Sequence, residues 1–326
     1  MKTKKAKYAF SKQEIKILKE ITGENHSLTQ IREILSIKPS LLSHYLKKLQ
    51  EKHIVKIQQG AVSFKGKFAN SRKSMLFQET KHSLTLRELL TKYSHIKWEN
   101  VLSGLGIDIL FQILTGSSSI KESVSPATFW RYSKKFMALG IVADNGENLQ
   151  INDRFSLLTS FLDEYQNFII KTIISSAFSD AIVLWQKDFE CLTRVSKATQ
   201  VSHEGFTKTA TSRLQDFGIQ LVSDSDIYFY SRRKTGICLE DIILHTLLIE
   251  RGNVRYATYG LLLLKKELKQ VDKDYLLKKA VWYDLSLQIN AMLEFLRTKG
   301  IRTGSGLPTW NEFMVKMREY EVEAEA

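Results

Sequence analysis

The sequence predicts a mainly α protein with small β wings: two successive helix-and-ribbon domains, followed by an α+β domain with a small sheet. Three observations carry that prediction. Apolar residues recur at helical spacing along most of the chain. A stretch of helix and strand from Pro39 to Val55 returns without a gap 87 residues later, from Pro126 to Val142. After residue 180, short β-like runs give way to an almost unbroken series of amphipathic helices. With 326 residues, 43% of them hydrophobic, the chain holds enough apolar material for two or three packed domains.

The first domain is placed at residues 1–75. Ser11 is an N-cap with Glu14 completing a capping box, and Ile15, Leu18 and Ile21 share one helical face. Gly23 stops that helix. Ser27 caps a second, short helix whose apolar face is Leu28, Ile31, Ile34 and Leu35. Pro39 stands at the first position of a third helix, where its missing N–H costs nothing, and Leu42, Leu46 and Leu49 form the buried stripe. Then Ile54 to Ile57 and Ala61 to Phe64 read as two strands joined by a turn at Gln58-Gln59-Gly60. Three helices followed by a β-ribbon describe a winged helix-turn-helix.

The run Pro39-Ser-Leu-Leu-Ser-His-Tyr-Leu-Lys-Lys-Leu-Gln-Glu-Lys-His-Ile-Val55 resembles the recognition helix and first wing strand of prokaryotic, archaeal-type regulators of the arsenic-repressor-like class. The likeness covers about 55 residues. It implies that the third helix enters the major groove of double-stranded DNA and that the wing follows the backbone. Carried over position by position, it marks Ser40, Ser43, His44, Tyr45, Lys47 and Lys48 on the helix as DNA-facing. Lys56, Gln58, Gln59, Lys65 and Lys67 are the corresponding expectations for the wing. The sequence departs from the family at His53, which replaces a glycine expected in the left-handed conformation.

The second domain, placed at 76–153, begins with a connecting helix over Leu84 to Tyr93 and a first helix over Val101 to Leu114. The repeat itself follows. Pro39/Pro126, Tyr45/Tyr132, Lys47/Lys134, Lys48/Lys135, Ile54/Ile141 and Val55/Val142 are identical pairs, and Asp144-Asn145-Gly146 supplies a turn for a second wing. The copies differ in charge. Residues 1–80 carry +11 of the chain's +13, residues 81–155 carry +2, and the remainder is neutral. Acidic Asp144 and Glu147 in the wing, and Phe129 and Trp130 on the helix, predict a packing or dimerisation unit. Such a unit adds at most Arg131, Lys134 and Lys135 to any nucleic-acid surface.

The third domain, 154–326, is expected to start with a long helix capped by Asn152 or Asp153. Strands are expected at Ala181 to Trp185, Phe189 to Val195, Ile219 to Val222 and Ile227 to Tyr230, with a helix near Phe206 to Asp216. Five helices follow, over Leu239 to Glu250, Arg255 to Leu268, Lys273 to Trp282, Ser286 to Arg297 and Trp310 to Tyr320. Gly205-Phe-Thr, Asp224-Ser-Asp226 and the helix from Leu239 resemble the nucleotidyltransferase-like domain of abortive-infection antitoxins. That resemblance implies Mg²⁺-dependent nucleotide transfer through Asp224 and Asp226. The Gly-Ser expected on the preceding helix is absent, and the alternative reading makes the two aspartates a turn between strands.

These features bound the function. The longest near-apolar stretch, Phe168 to Trp185, is broken by Lys171 and Asp180, so no membrane span is expected. Two cysteines, Cys191 and Cys238, cannot form a disulfide framework, and a cytoplasmic setting is expected. The basic N-terminus runs into the polar Ser11 to Glu14, unlike a secretory signal. No P-loop, dinucleotide fingerprint or zinc-protease motif occurs. The leading expectation is a DNA-binding transcription regulator acting as a homodimer, without catalytic residues, metal or cofactor. An effector or protein partner is expected at the C-terminal domain. The alternatives are an antitoxin-like nucleotidyltransferase with autoregulatory winged helices, and a protein-interaction scaffold.

Overall fold

A computed structural model describes residues 8–22, 27–60, 63–64, 67–68, 72–116, 124–146, 148–197, 205–232, 236–301 and 304–322. The described chain is mainly helical with small antiparallel sheets. It divides into two compact units, Met1–Ile169 and Ile170–Ala326.

The first unit opens with α1 (Lys12–Glu20), α2 (Leu28–Leu35) and α3 (Pro39–Glu51). Each of the first two begins with a reciprocal capping box, Ser11 with Glu14 and Ser27 with Gln30. α3 instead starts on Pro39, after the extended Lys38. Ile15, Leu18, Ile31, Leu42, Leu46 and Leu49 are buried, as the helical spacing requires.

The ribbon after α3 differs from the expected short hairpin. β1 (Val55–Gly60) runs straight through Gln58-Gln59-Gly60 and pairs antiparallel with β4 (Arg72–Phe77); Ala61 and Val62 of the expected second strand lie outside the described residues. Apolar pairing sets this register: Val55 lies opposite Phe77 and Ile57 opposite Met75, with Met75 and Phe77 both buried. Gln58-Gln59-Gly60 offers one glycine, whereas a type I′ hairpin turn needs positive φ at both central residues. Within the connecting segment, β2 (Ser63–Phe64) pairs only with β3 (Lys67–Phe68). α4 (Lys81–Lys92) follows the ribbon.

The repeat is then built in backbone detail. α6 (Pro126–Ala138), preceded by α5 (Leu105–Thr115), has the same length as α3, 13 residues, and also a proline at its first position. Both helices end in a Schellman motif. In the first, the His53 N–H donates to Gln50 O at 2.9 Å and that of Ile54 to Leu49 O at 3.0 Å. In the second, Gly140 donates to Met137 O at 2.8 Å and Ile141 to Phe136 O at 2.9 Å. His53 and Gly140, which are 87 positions apart, both have positive φ, 52° and 63°. The second ribbon is short, β5 (Val142–Asp144) against β6 (Leu149–Ile151). α7 (Ser156–Ala177) then carries the chain into the second unit. Its first half buries Leu158, Phe161, Leu162 and Tyr165. Tyr165 stacks on Phe10 at 5.3 Å and donates its hydroxyl to Tyr8 O at 2.7 Å.

The second unit holds one four-stranded antiparallel sheet in the order β7 (Ile182–Lys187), β8 (Glu190–Ser196), β10 (Ser225–Tyr230), β9 (Phe206–Lys208). Two expectations fail here. Phe206 to Lys208 forms an edge strand against Tyr228 to Tyr230, with a 3₁₀ helix over Ala210–Phe217 behind it, instead of one continuous helix. Ile219 to Val222 is not a strand. Gly218 turns the chain in the left-handed conformation and the Ile219 side chain plugs the core. α8 (Leu239–Leu248), α9 (Val254–Lys266), α10 (Lys273–Trp282), α11 (Ser286–Arg297) and α12 (Trp310–Glu319) agree closely with the sequence. At the centre, fully buried His245 stacks on Phe229 at 4.2 Å, lies 2.8 Å from the Thr209 hydroxyl and 3.0 Å from that of Tyr283. Burial lowers its pKa to about 3, so the imidazole is neutral.

Candidate nucleic-acid interface

α3 has two sharply different sides. Leu42, Leu46 and Leu49 seat it on the core, while Ser40, Ser43, His44, Lys47 and Lys48 are exposed and Tyr45 is half-buried beside His44. Five of the six helix residues marked by the sequence therefore share the outward side, and Tyr45 sits at its edge. Under α3 lies a buried ion pair the sequence did not reveal: Lys52 Nζ donates to Glu14 Oε1, with both side chains almost completely buried. Burial lowers the Lys52 pKa while Glu14 opposes that shift. The same lysine lies over the Phe10 ring at 5.1 Å, and its carbonyl lies 3.1 Å from Nε2 of buried His82. α3 is thus bolted to α1 and α4 at its C-terminal end. No local spacing signals a pair 38 residues apart.

The wing residues are placed less fully. Lys56 is exposed but its ammonium is held by Glu79 at 2.8 Å. That contact draws the Glu79 carboxyl below its usual range. Gln58 and Gln59 lie on β1 and Lys67 on β3. Lys65 lies outside the described residues.

The second copy presents other chemistry. On α6, Trp130 is 47% exposed and Phe129 and Tyr132 are half-buried. Lys134 lies over the Trp130 ring at 5.6 Å and Arg131 over Tyr132 at 5.7 Å. Lys135 donates to Asn100 O at 2.9 Å and so braces the fold. In the turn of the short ribbon, Asp144 Oδ1 accepts from the Gly146 N–H at 2.9 Å. Glu147 lies outside the described residues.

In the second unit, a cleft of about 1080 Å³ opens where β8 ends and β10 begins, bounded also by β9, the 3₁₀ helix and the first turns of α9. It contains Asp224 and Asp226. Asp226 is taken by Lys208 at 2.6 Å, whereas Asp224 is exposed and its carbonyl accepts from the Lys197 N–H at 3.0 Å. Among the described residues, no three His, Cys, Asp or Glu side chains group as metal ligands. The Cys191 and Cys238 thiols are both pushed up to about 12, chiefly by burial. Such thiols stay protonated and unreactive at neutral pH. No local sequence signal unites Arg194, Lys197, Lys208 and Arg255, the cleft's cations, which come from separate elements.

Residues 203–322 are similar to the family model described as HVO_2833_C, C-terminal. The match spans β9 to α12 and does not reach the first unit. No curated protein and no solved structure matches the chain. Among the described residues no helix is long and apolar enough to cross a membrane.

Proposed function

We propose that the protein is a sequence-specific transcription regulator that reads double-stranded DNA with α3 and the ribbon after it, as a homodimer of winged helix-turn-helix chains. The observation that supports this reading is the outward side of α3. It is a row of short hydroxyls, an imidazole and two lysines, on a module that holds +11 of the chain's charge. Such a row suits a major groove: Ser43 and His44 reach base edges, and Lys47 and Lys48 meet phosphates. At the start of α3, Pro39 has no N–H and Leu41 and Leu42 donate to Lys38 O, which leaves the Ser40 N–H for a further phosphate contact. Trp130 and Phe129 on α6 favour the second copy as the dimer contact.

Nucleotide transfer has weaker support, because Lys208 occupies Asp226 and leaves Asp224 without a second free carboxylate. The deciding experiment is fluorescence anisotropy of the intact protein on duplex DNA across a salt series. Affinity that falls steeply with salt, together with a recovered common sequence in genome-wide mapping, is the expected result. Salt-insensitive or undetectable duplex binding would end the reading.

A further inference from the structure

We infer that the cleft in the second unit binds a ribose phosphate, whether free as a sugar phosphate or carried by a nucleotide. Its volume, about 1080 Å³, lies at the upper end of small-ligand sites, which run to roughly 1,000 Å³. Four cations line it, each from a different element: Arg194 on β8, Lys197 just beyond it, Lys208 on β9 and Arg255 on α9. Lys208 is neutralised by Asp226. The side chains of Arg194 and Lys197 have no ion-pair partner among the described residues. Arg255 donates through Nε to the Tyr259 hydroxyl at 3.2 Å, which fixes the guanidinium and leaves its terminal nitrogens for another acceptor. Three cations converging on one concavity repel one another, and a bound anion relieves that repulsion.

The cleft is not built for a bare polyanion. Asp224 projects into the same space, beside Ser223 and Ser225, whose hydroxyl and backbone groups bond to each other across the turn, Ser225 N–H to Ser223 Oγ at 3.2 Å. A carboxylate repels phosphate but accepts well from adjacent hydroxyls. A lining that holds both cations and a carboxylate acceptor fits a phosphate monoester on a polyhydroxylated frame better than a DNA backbone. The site lies wholly within the second unit, so this inference stands or falls independently of what α3 binds.

The test is calorimetric titration of the intact protein, without DNA, using ribose 5-phosphate, adenosine monophosphate and inorganic phosphate. A ribose phosphate ligand is expected to bind with Kd below about 1 mM, and inorganic phosphate about tenfold more weakly. Arg194→Gln and Arg255→Gln should each weaken binding by about tenfold, the loss of one charge-assisted contact. Asp224→Asn should erase the preference over inorganic phosphate. Tighter binding of the nucleotide assigns the site to nucleotides, and equal binding assigns it to sugar phosphates. The inference is overturned if no ribose phosphate binds at about 1 mM, or if inorganic phosphate binds equally well. It is also overturned if the arginine variants bind as the parent does. Lys197→Gln, at an exposed position, serves in place of either arginine variant that fails to fold.

Discussion

The two copies of the helix-and-ribbon unit share a backbone and differ in nearly everything that backbone presents. α3 and α6 have equal length, the same initial proline and the same Schellman ending. Yet α3 shows serines, a histidine and free lysines to solvent, while α6 shows Trp130 and cations laid over aromatic rings. β1 and β4 pair over six residues each, β5 and β6 over three. The shared architecture does not need identical interiors: Leu42, Leu46 and Leu49 become Phe129, Ser133 and Phe136, while the exposed Lys47 and Lys48 recur as Lys134 and Lys135. The same helix length and the same helix ending thus carry serines and lysines in the first copy and an exposed tryptophan in the second.

The largest test of this contrast lies inside the first copy. Lys52 is buried against Glu14, whereas the residue 87 positions on is Leu139. Glu14→Ala leaves a buried ammonium unpaired and is expected to cost about 3–5 kcal/mol of first-unit stability. Replacing the pair together, Glu14→Leu with Lys52→Met, should recover most of that loss, because apolar groups of similar size substitute well for a buried ion pair. Urea unfolding of both variants checks this. If Glu14→Ala unfolds like the parent, the pair does not anchor α3.

On the surface, Lys47→Ala with Lys48→Ala should weaken duplex binding about tenfold or more and reduce the logarithmic salt slope by about 2. Lys134 and Lys135 stand at the matching positions, but Lys135 braces the fold, so the comparison uses the exposed pair Arg131→Ala with Lys134→Ala, which should leave affinity within about twofold. Equal losses from the two pairs would mean that both copies bind DNA. Ser43→Ala and His44→Ala should instead shift base preference, by about 1–3 kcal/mol at single positions.

Acid gives a smaller effect, to which His82 beneath the first copy contributes. His82 stacks on Phe168 at 4.6 Å and is buried, and desolvation lowers its pKa from the ordinary 6.5. A folded-state pKa below the unfolded one means that stability is complete above pH 6.5 and declines as pH falls towards the folded value. His245 in the second unit acts with the same sign, with its loss complete only near its folded pKa of about 3. Urea unfolding between about pH 7 and about pH 5 should show the slope, and His82→Phe should flatten the part due to the first unit.

What the sequence disclosed follows the same division between local and distant causes. The caps at Ser11 and Ser27, Pro39 as a first-turn residue, the stripe Leu42, Leu46, Leu49 and the five C-terminal helices all rest on signals within a turn or two, and all were legible. The outward side of α3 was legible for that reason too. The partner of β1 was not, because Val55 finds Phe77 across a long connection that no turn motif announces. Likewise Phe206 to Lys208 looks helical until Tyr228 to Tyr230 lies beside it. The Glu14–Lys52 pair and the cleft's cations depend wholly on tertiary placement.

The smallest expected effect is the most direct test of the shared backbone. His53 and Gly140 occupy the same left-handed position, which costs a non-glycine residue about 1 kcal/mol. His53→Gly should therefore stabilise the first unit by up to about 1 kcal/mol, less whatever the His53 ring contributes against Phe168, 5.1 Å away. The reverse change should not be neutral. A Cβ at Gly140 would meet the Arg154 guanidinium at 1.9 Å, the same group that donates to the Gly140 carbonyl at 2.9 Å. Gly140→Ala is thus expected to lose both the conformational preference and that hydrogen bond, about 1–2 kcal/mol together. Opposite signs at the two positions, read from paired urea melts, follow if one backbone motif ends both helices. A gain at neither would mean that the likeness of the two helix ends carries no energetic weight.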